Sequence, residues 1–85
     1  MTSLIVRKQF SESRLAKARD ARTTAEQMFE TRVSDIAKER GISKSEAYAY
    51  ADQDKIAKHA YGYVQHFTDI ELAETKTLEK LANQL

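Results

Sequence analysis

The sequence contains no cysteine, no proline and no tryptophan, and only two of its 85 residues are glycine. Without cysteine, the chain can form neither a disulfide framework nor a thiolate metal site. This absence also agrees with a cytoplasmic location. Valine and isoleucine are sparse and never alternate along the length of a strand, whereas alanine, glutamate, lysine and leucine are common. Because these common residues favour helix, we predict an all-α protein.

Long apolar runs are also absent near the N-terminus, where the first run, Leu4 to Val6, is followed by Arg7. A secretory signal needs an apolar stretch of about 7–15 residues, and a membrane span needs about 20. The sequence therefore predicts a protein that stays in the cytoplasm and makes no membrane contact.

The short length limits how well the chain can stabilise itself. Eighty-five residues correspond to a single helical domain over 1–85. A domain of this size buries only about 60% of the surface of its unfolded chain. Since no disulfide can compensate, helix packing and association with another chain must stabilise the fold. We therefore predict a homodimer or a protein bound to a partner.

Capping signatures predict a small bundle of three or four helices joined by short turns. Ser11 can cap a first helix over about 11–40, which leaves 1–10 as a flexible N-terminal segment. Thr23 and Glu26 have the spacing of a capping box, so a break near 23 is an alternative to one long helix.

The later boundaries follow from the same chemistry. Gly41, after a basic last turn, is typical of the left-handed position that ends a helix. Ser43 with Glu46 has the spacing of a capping box that opens a helix over 44–67. Thr68 with Glu71 repeats that spacing and predicts a last helix over 69–84.

Residues 34–51, SDIAKERGISKSEAYAYA, resemble the helix-turn-helix motif of small bacterial and phage DNA-binding proteins. Ala37 stands where a small residue lets the second helix pack closely, Gly41 makes the turn, and Ile42 follows as the buried aliphatic. The sequence departs from the pattern at Ala47, where a bulky aliphatic is usual. The resemblance implies that a set of basic and small residues contacts DNA. These are Arg32, Lys38, Arg40, Ser43, Lys44, Ser45, Tyr48 and Ala49.

The second half of the chain is rich in aromatic residues. Because tyrosine gives a large contact area at low entropic cost, exposed members of this group would suit a protein interface. Tyr48, His59 and Tyr63 are the predicted protein contacts. The remaining aromatic residues of this stretch are assigned to the core. They are Tyr50, Tyr61 and Phe67.

No catalytic, metal or cofactor site is indicated. His59 and His66 are seven residues apart, too far along one helix to bind the same ion. There is no glycine-rich phosphate loop and no serine–histidine–acid arrangement. We therefore predict a protein that is not an enzyme and binds no cofactor.

Two functions agree with these observations. The first is a helical adaptor or inhibitor that binds a protein partner, by analogy with accessory proteins of phages and plasmids. The alternative is a helix-turn-helix DNA-binding regulator.

Overall fold

A computed structural model describes residues 3–84, which form three helices. α1 spans Leu4–Arg40, α2 spans Lys44–Ala51 and α3 spans Lys55–Gln84. The part of the chain that the model describes contains no strand. The predicted all-α class and the predicted small bundle of three or four helices are therefore confirmed, although several predicted boundaries differ.

α1 begins earlier than predicted. Ser3 is its N-cap, and the Ser3 hydroxyl accepts a hydrogen bond from the Val6 amide at 3.2 Å. Residues 4–10 therefore form the first turns of α1, and the predicted start at Ser11 is wrong. Ser11 is fully buried inside the helix, where its hydroxyl donates to Glu74 of α3 at 2.8 Å.

α1 is also unbroken near 23. The Thr24 hydroxyl donates to the Asp20 carbonyl at 3.1 Å, a bond to the preceding turn that leaves the helix intact. The capping-box spacing of Thr23 and Glu26 is therefore not used. A helix of 37 residues is about 56 Å long, which accounts for the longest dimension of the molecule, 58 Å.

The turn from α1 to α2 has the predicted geometry. Gly41 adopts φ 65° and ψ 38°, in the left-handed region, and its amide donates to the Ala37 carbonyl. The Ser43 hydroxyl accepts a hydrogen bond from the Glu46 amide at 3.2 Å and begins α2. The predicted end of the first helix at Gly41 and the predicted start of the second helix at Ser43 are therefore confirmed.

The predicted helix over 44–67 is wrong, because α2 ends at Ala51 and α3 begins at Lys55. A carboxylate oxygen of Asp54 accepts a hydrogen bond from the Ala57 amide at 2.9 Å, as an N-cap does. The predicted boundary at Thr68 is wrong as well. The Thr68 hydroxyl donates to the Val64 carbonyl at 2.7 Å, and α3 continues through this position.

α1 and α3 pack side by side in opposite directions and form a hairpin. The contacting residues recur at spacings of three and four, the spacing of helices that pack along their length. On α1 they are Ser11, Leu15, Ala18, Arg22, Ala25, Phe29, Val33 and Ile36. On α3 they are Ala57, Ala60, Val64, Phe67, Glu71, Glu74, Leu78 and Leu81. We call this contact the seam.

The core is small and lies mainly at the closed end of the hairpin, where α2 packs. Its buried cluster contains Val33, Ile36, Ala47, Ala51 and Ala57. Alanine lets the helices approach closely but removes little apolar surface from water. The molecule is accordingly thin, 17 Å by 15 Å across its two shorter axes.

Two polar layers interrupt the seam between the core and the open end. In the first, Glu74 accepts hydrogen bonds from the Ser11 hydroxyl and from Arg14 Nε at 2.7 Å. These bonds, chiefly the one from Arg14, lower the pKa of Glu74. In the second layer, Glu71 accepts a hydrogen bond from Arg22 Nε.

Candidate interaction surfaces

One side of the hairpin has a central strip of uncharged residues, with Arg32, Asp35 and Lys58 along its borders. The strip consists of the uncharged positions of α1 and α3 that flank the seam on that side, and we call it the uncharged face. Its members are Ala21, Thr24, Met28 and Thr31 of α1 and Ile56, His59, Tyr63, His66, Ile70 and Ala73 of α3. Met28 and Ile56 line the same groove, so the two sets of positions share one side of the hairpin. Charged residues make up 32% of the whole chain, so the composition of this face differs from the average composition of the chain.

Three of the four large apolar side chains of the uncharged face are open to solvent, and the fourth, Ile70, is half-buried. Met28 is 53% exposed, Ile56 is 59% exposed and Tyr63 is 49% exposed. The α3 part of this face could have been found from the sequence, because Ile56, Tyr63 and Ile70 recur at intervals of seven. We did not predict this face, because the wrong boundary at Thr68 divided α3 in two.

Two of the three predicted protein contacts lie together on the uncharged face. The rings of His59 and Tyr63 are 5.9 Å apart, centroid to centroid. The series continues from Tyr63 to Phe67 at 6.4 Å and from Phe67 to His66 at 5.2 Å. These rings form a row along α3 that presents flat, weakly polar surface.

Tyr48 is separated from that row and belongs to a second aromatic cluster at the closed end. Its ring lies 6.1 Å from that of Phe29, and Phe29 lies 5.8 Å from Tyr61. The prediction that Tyr61 belongs to the core is wrong, since Tyr61 is 51% exposed, and Tyr50 is 38% exposed. The reason is that alanines of α2 and α3 fill the core at this end. Phe67, the third of these predictions, is half-buried.

Three of the predicted DNA contacts are engaged within the chain. Glu30 of α1 accepts hydrogen bonds from Lys44 Nζ at 2.7 Å and from the Tyr48 hydroxyl at 2.5 Å. These bonds, chiefly that from Lys44, lower the pKa of Glu30. Both Arg32 Nε and Arg32 Nη2 donate to the carboxylate of Asp54, at 2.9 Å and 2.7 Å.

The other five predicted DNA contacts are spread over the turn and α2. Arg40 lies over the ring of Tyr50, 4.0 Å from its centroid, and Ser43 caps α2. The remaining three side chains are exposed. They are Lys38, Ser45 and Ala49.

The Arg32–Asp54 pair connects α1 to the start of α3, and its contribution to the stability of the fold decreases at low pH. The hydrogen bond from Arg32 and that from the Ala57 amide lower the pKa of Asp54 from 3.8 to about 2. A carboxylate with a lowered pKa stabilises the folded state above the unfolded-state pKa. We therefore expect this stabilisation to be complete above about pH 5 and to disappear as the pH falls towards 2.

Two substitutions of Asp54 separate its two roles. Asp54→Asn keeps an oxygen that can accept from the Ala57 amide but loses the ion pair, whereas Asp54→Ala loses both. At pH 7 we expect the midpoint of thermal unfolding to fall for Asp54→Asn and to fall further for Asp54→Ala. The acid-dependent loss of stability should be smaller in both variants than in the wild type. Equal midpoints for all three proteins would show that this pair contributes nothing.

Within 3–84 no three histidine, aspartate or glutamate side chains are grouped so that they could hold a metal ion. None of the three described helices is long and apolar enough to cross a membrane. Comparison with protein-family models, with curated proteins and with solved structures finds no match to this chain.

Proposed function

We propose that this chain is a non-enzymatic binding protein, of the adaptor or inhibitor type, whose uncharged face binds protein. The observation that carries this proposal is the exposure of Met28, Ile56 and Tyr63, each about half open to solvent. They lie in a strip of uncharged side chains that charged residues only border. A contiguous apolar surface is unfavourable in water and commonly marks an interaction site.

The chemistry of the uncharged face supports a protein partner. The centres of protein–protein interfaces are depleted in charged residues and enriched in tyrosine, phenylalanine and methionine. Tyr63 and Met28 supply two of these residue types, and the half-buried Phe67 of the seam lies beside Tyr63. His59 and His66, at the edge of the aromatic row, add groups that can form hydrogen bonds at the rim.

Photo-crosslinking tests this proposal directly. A benzophenone amino acid placed at Tyr63 should form a covalent adduct with a bound protein in the cells that produce the chain. The same amino acid at Leu72 is the matched control, because Leu72 is 58% exposed and lies on the other side of α3. Adducts from position 63 but not from 72 would support the proposal. Equal yields at the two positions, or none at either, would overturn it.

The helix-turn-helix alternative is supported by the geometry of the turn at Gly41 and the cap at Ser43. The contacts that favour the protein-binding proposal instead are those of Glu30 with Lys44 and Tyr48, which direct both side chains toward α1. Fluorescence anisotropy of a labelled random duplex distinguishes the two functions. Binding that weakens steeply with salt would favour the DNA-binding alternative, since it would show that the protein neutralises phosphates.

A further inference from the structure

The surface area of the single chain is larger than that of a compact monomer. A compact protein of 9.7 kDa exposes about 5,100 Å², whereas this chain exposes 6285 Å². The difference is roughly 1,200 Å². A standard protein–protein interface buries about 800 Å² on each partner. The chain therefore has enough excess surface for one complete interface.

We propose that a second copy of this chain covers the uncharged face, so that two hairpins form a four-helix bundle. This inference rests on the proposed function, because it names the protein that the uncharged face binds. In a two-fold dimer the same patch is present on both sides of the interface, and residues near the axis meet their own copies. A charged residue near the axis would meet a like charge. The members of the uncharged face are methionine, isoleucine, tyrosine, threonine, alanine and histidine, so no aspartate, glutamate, lysine or arginine among them meets its own copy.

The charges at the two borders of the uncharged face select an antiparallel dimer. Lys17 lies at the border near the open end of the hairpin, and Asp35 lies beside Met28 near the closed end. When the two copies run in opposite directions, Lys17 of each lies toward Asp35 of the other. When they run in the same direction, lysine meets lysine and aspartate meets aspartate, which is repulsive.

A second copy would also complete the core. In the single chain the buried side chains are mainly alanine, and the larger apolar residues of the uncharged face remain in solvent. Facing a second hairpin, Met28, Ile56 and Tyr63 would become the central layers of the bundle. Their burial would provide the apolar area that the seam, with its two polar layers, lacks.

Sedimentation equilibrium of the purified chain tests the proposal. We expect the wild type to sediment as a dimer, at twice 9.7 kDa, at micromolar concentration. Met28→Glu and Tyr63→Glu each place two unpaired carboxylates in the interface, so the dissociation constant should rise by at least about 100-fold. Leu72→Glu introduces the same charge at an equally exposed site on the other side of α3 and should leave the dissociation constant unchanged. Circular dichroism should show unchanged helix content in all three variants, because each substituted side chain is exposed.

Asp35→Lys tests the direction of the two copies. In the antiparallel dimer it brings a lysine toward Lys17 of the other copy and should weaken association. An unchanged dissociation constant would overturn the antiparallel arrangement.

The remaining outcomes separate this inference from the proposed function. A wild-type chain that is monomeric at 100 µM would overturn the dimer, as would a dimer disrupted by Leu72→Glu but not by Met28→Glu. If the chain is monomeric and position 63 still crosslinks to a heavier protein, the proposed function stands and only the second copy is wrong. If position 63 forms no adduct either, both are wrong.

Discussion

Ile36→Ala is expected to lower the free energy of unfolding by about 2–5 kcal/mol, the loss measured for large-to-small substitutions in packed cores. Ile36 is 3% exposed and belongs to the cluster in which α1, α2 and α3 meet. Val33 is the one other large aliphatic residue of this buried cluster, because the remaining members are alanines. Neighbouring alanine side chains are too short to fill the cavity that the substitution leaves, so the loss should lie toward the upper part of this range.

Urea denaturation followed by circular dichroism, at one fixed protein concentration, measures this loss. Leu72→Ala is the matched control, because it removes a similar apolar side chain from a site that is 58% exposed. We expect the control to change the free energy of unfolding by no more than about 0.5 kcal/mol. A similar loss in the two variants would mean that the packing at the closed end does not determine stability.

The second large effect is expected from reversing the charge of Glu71. Glu71 accepts a hydrogen bond from Arg22 Nε, and its carboxylate lies 3.6 Å from Arg19 Nε. Its side chain is only 15% exposed. Glu71→Arg would place three guanidinium groups together at the seam with reduced access to water. We expect a large fall in the midpoint of thermal unfolding and partial separation of α1 from α3 at the open end.

Exchanging the charges of positions 22 and 71 should restore part of the packing between α1 and α3. In the double variant Arg22→Glu with Glu71→Arg, the acid and the base exchange helices, so part of the lost thermal stability should return. The recovery should be incomplete, because Arg19 then lies beside the new guanidinium and Glu26 beside the new carboxylate. Glu79→Arg makes the same change of charge at an exposed position on α3 and should have little effect. If the double variant is no more stable than Glu71→Arg alone, the second polar layer does not act through the attraction of these charges.

The turn at Gly41 could be predicted because its chemistry is local. A glycine in the left-handed region and a serine bonded to the amide three residues later both lie within a few positions of the chain. The boundaries at Ser11 and Thr68 could not be predicted in this way. Serine and threonine also occur inside helices, where their hydroxyls bond to a side chain or to the preceding turn. Only the packing of α3 on α1 determines which role they take.

The break between α2 and α3 is another feature that depends on distant residues. Asp54 caps α3 while bound to Arg32, which is 22 residues away in the chain. That pair places Tyr48 on a different helix from Tyr63. The proximity of His59 to Tyr63, in contrast, follows from their spacing of four on one helix. The sequence could therefore group two of the three predicted contacts but not the third.

The seam joins residues whose distance along the chain increases steadily from the closed end to the open end. Arg32 and Asp54 are separated by 22 positions, whereas Ser11 and Glu74 are separated by 63. Closing a longer loop costs more entropy, although the cost grows slowly, by about 0.6 kcal/mol for each doubling of length. Contacts near α2 can thus form first, and each one shortens the loop that the next must close. We therefore expect the hairpin to fold from the end that contains α2 toward the open end, and to open in the reverse order.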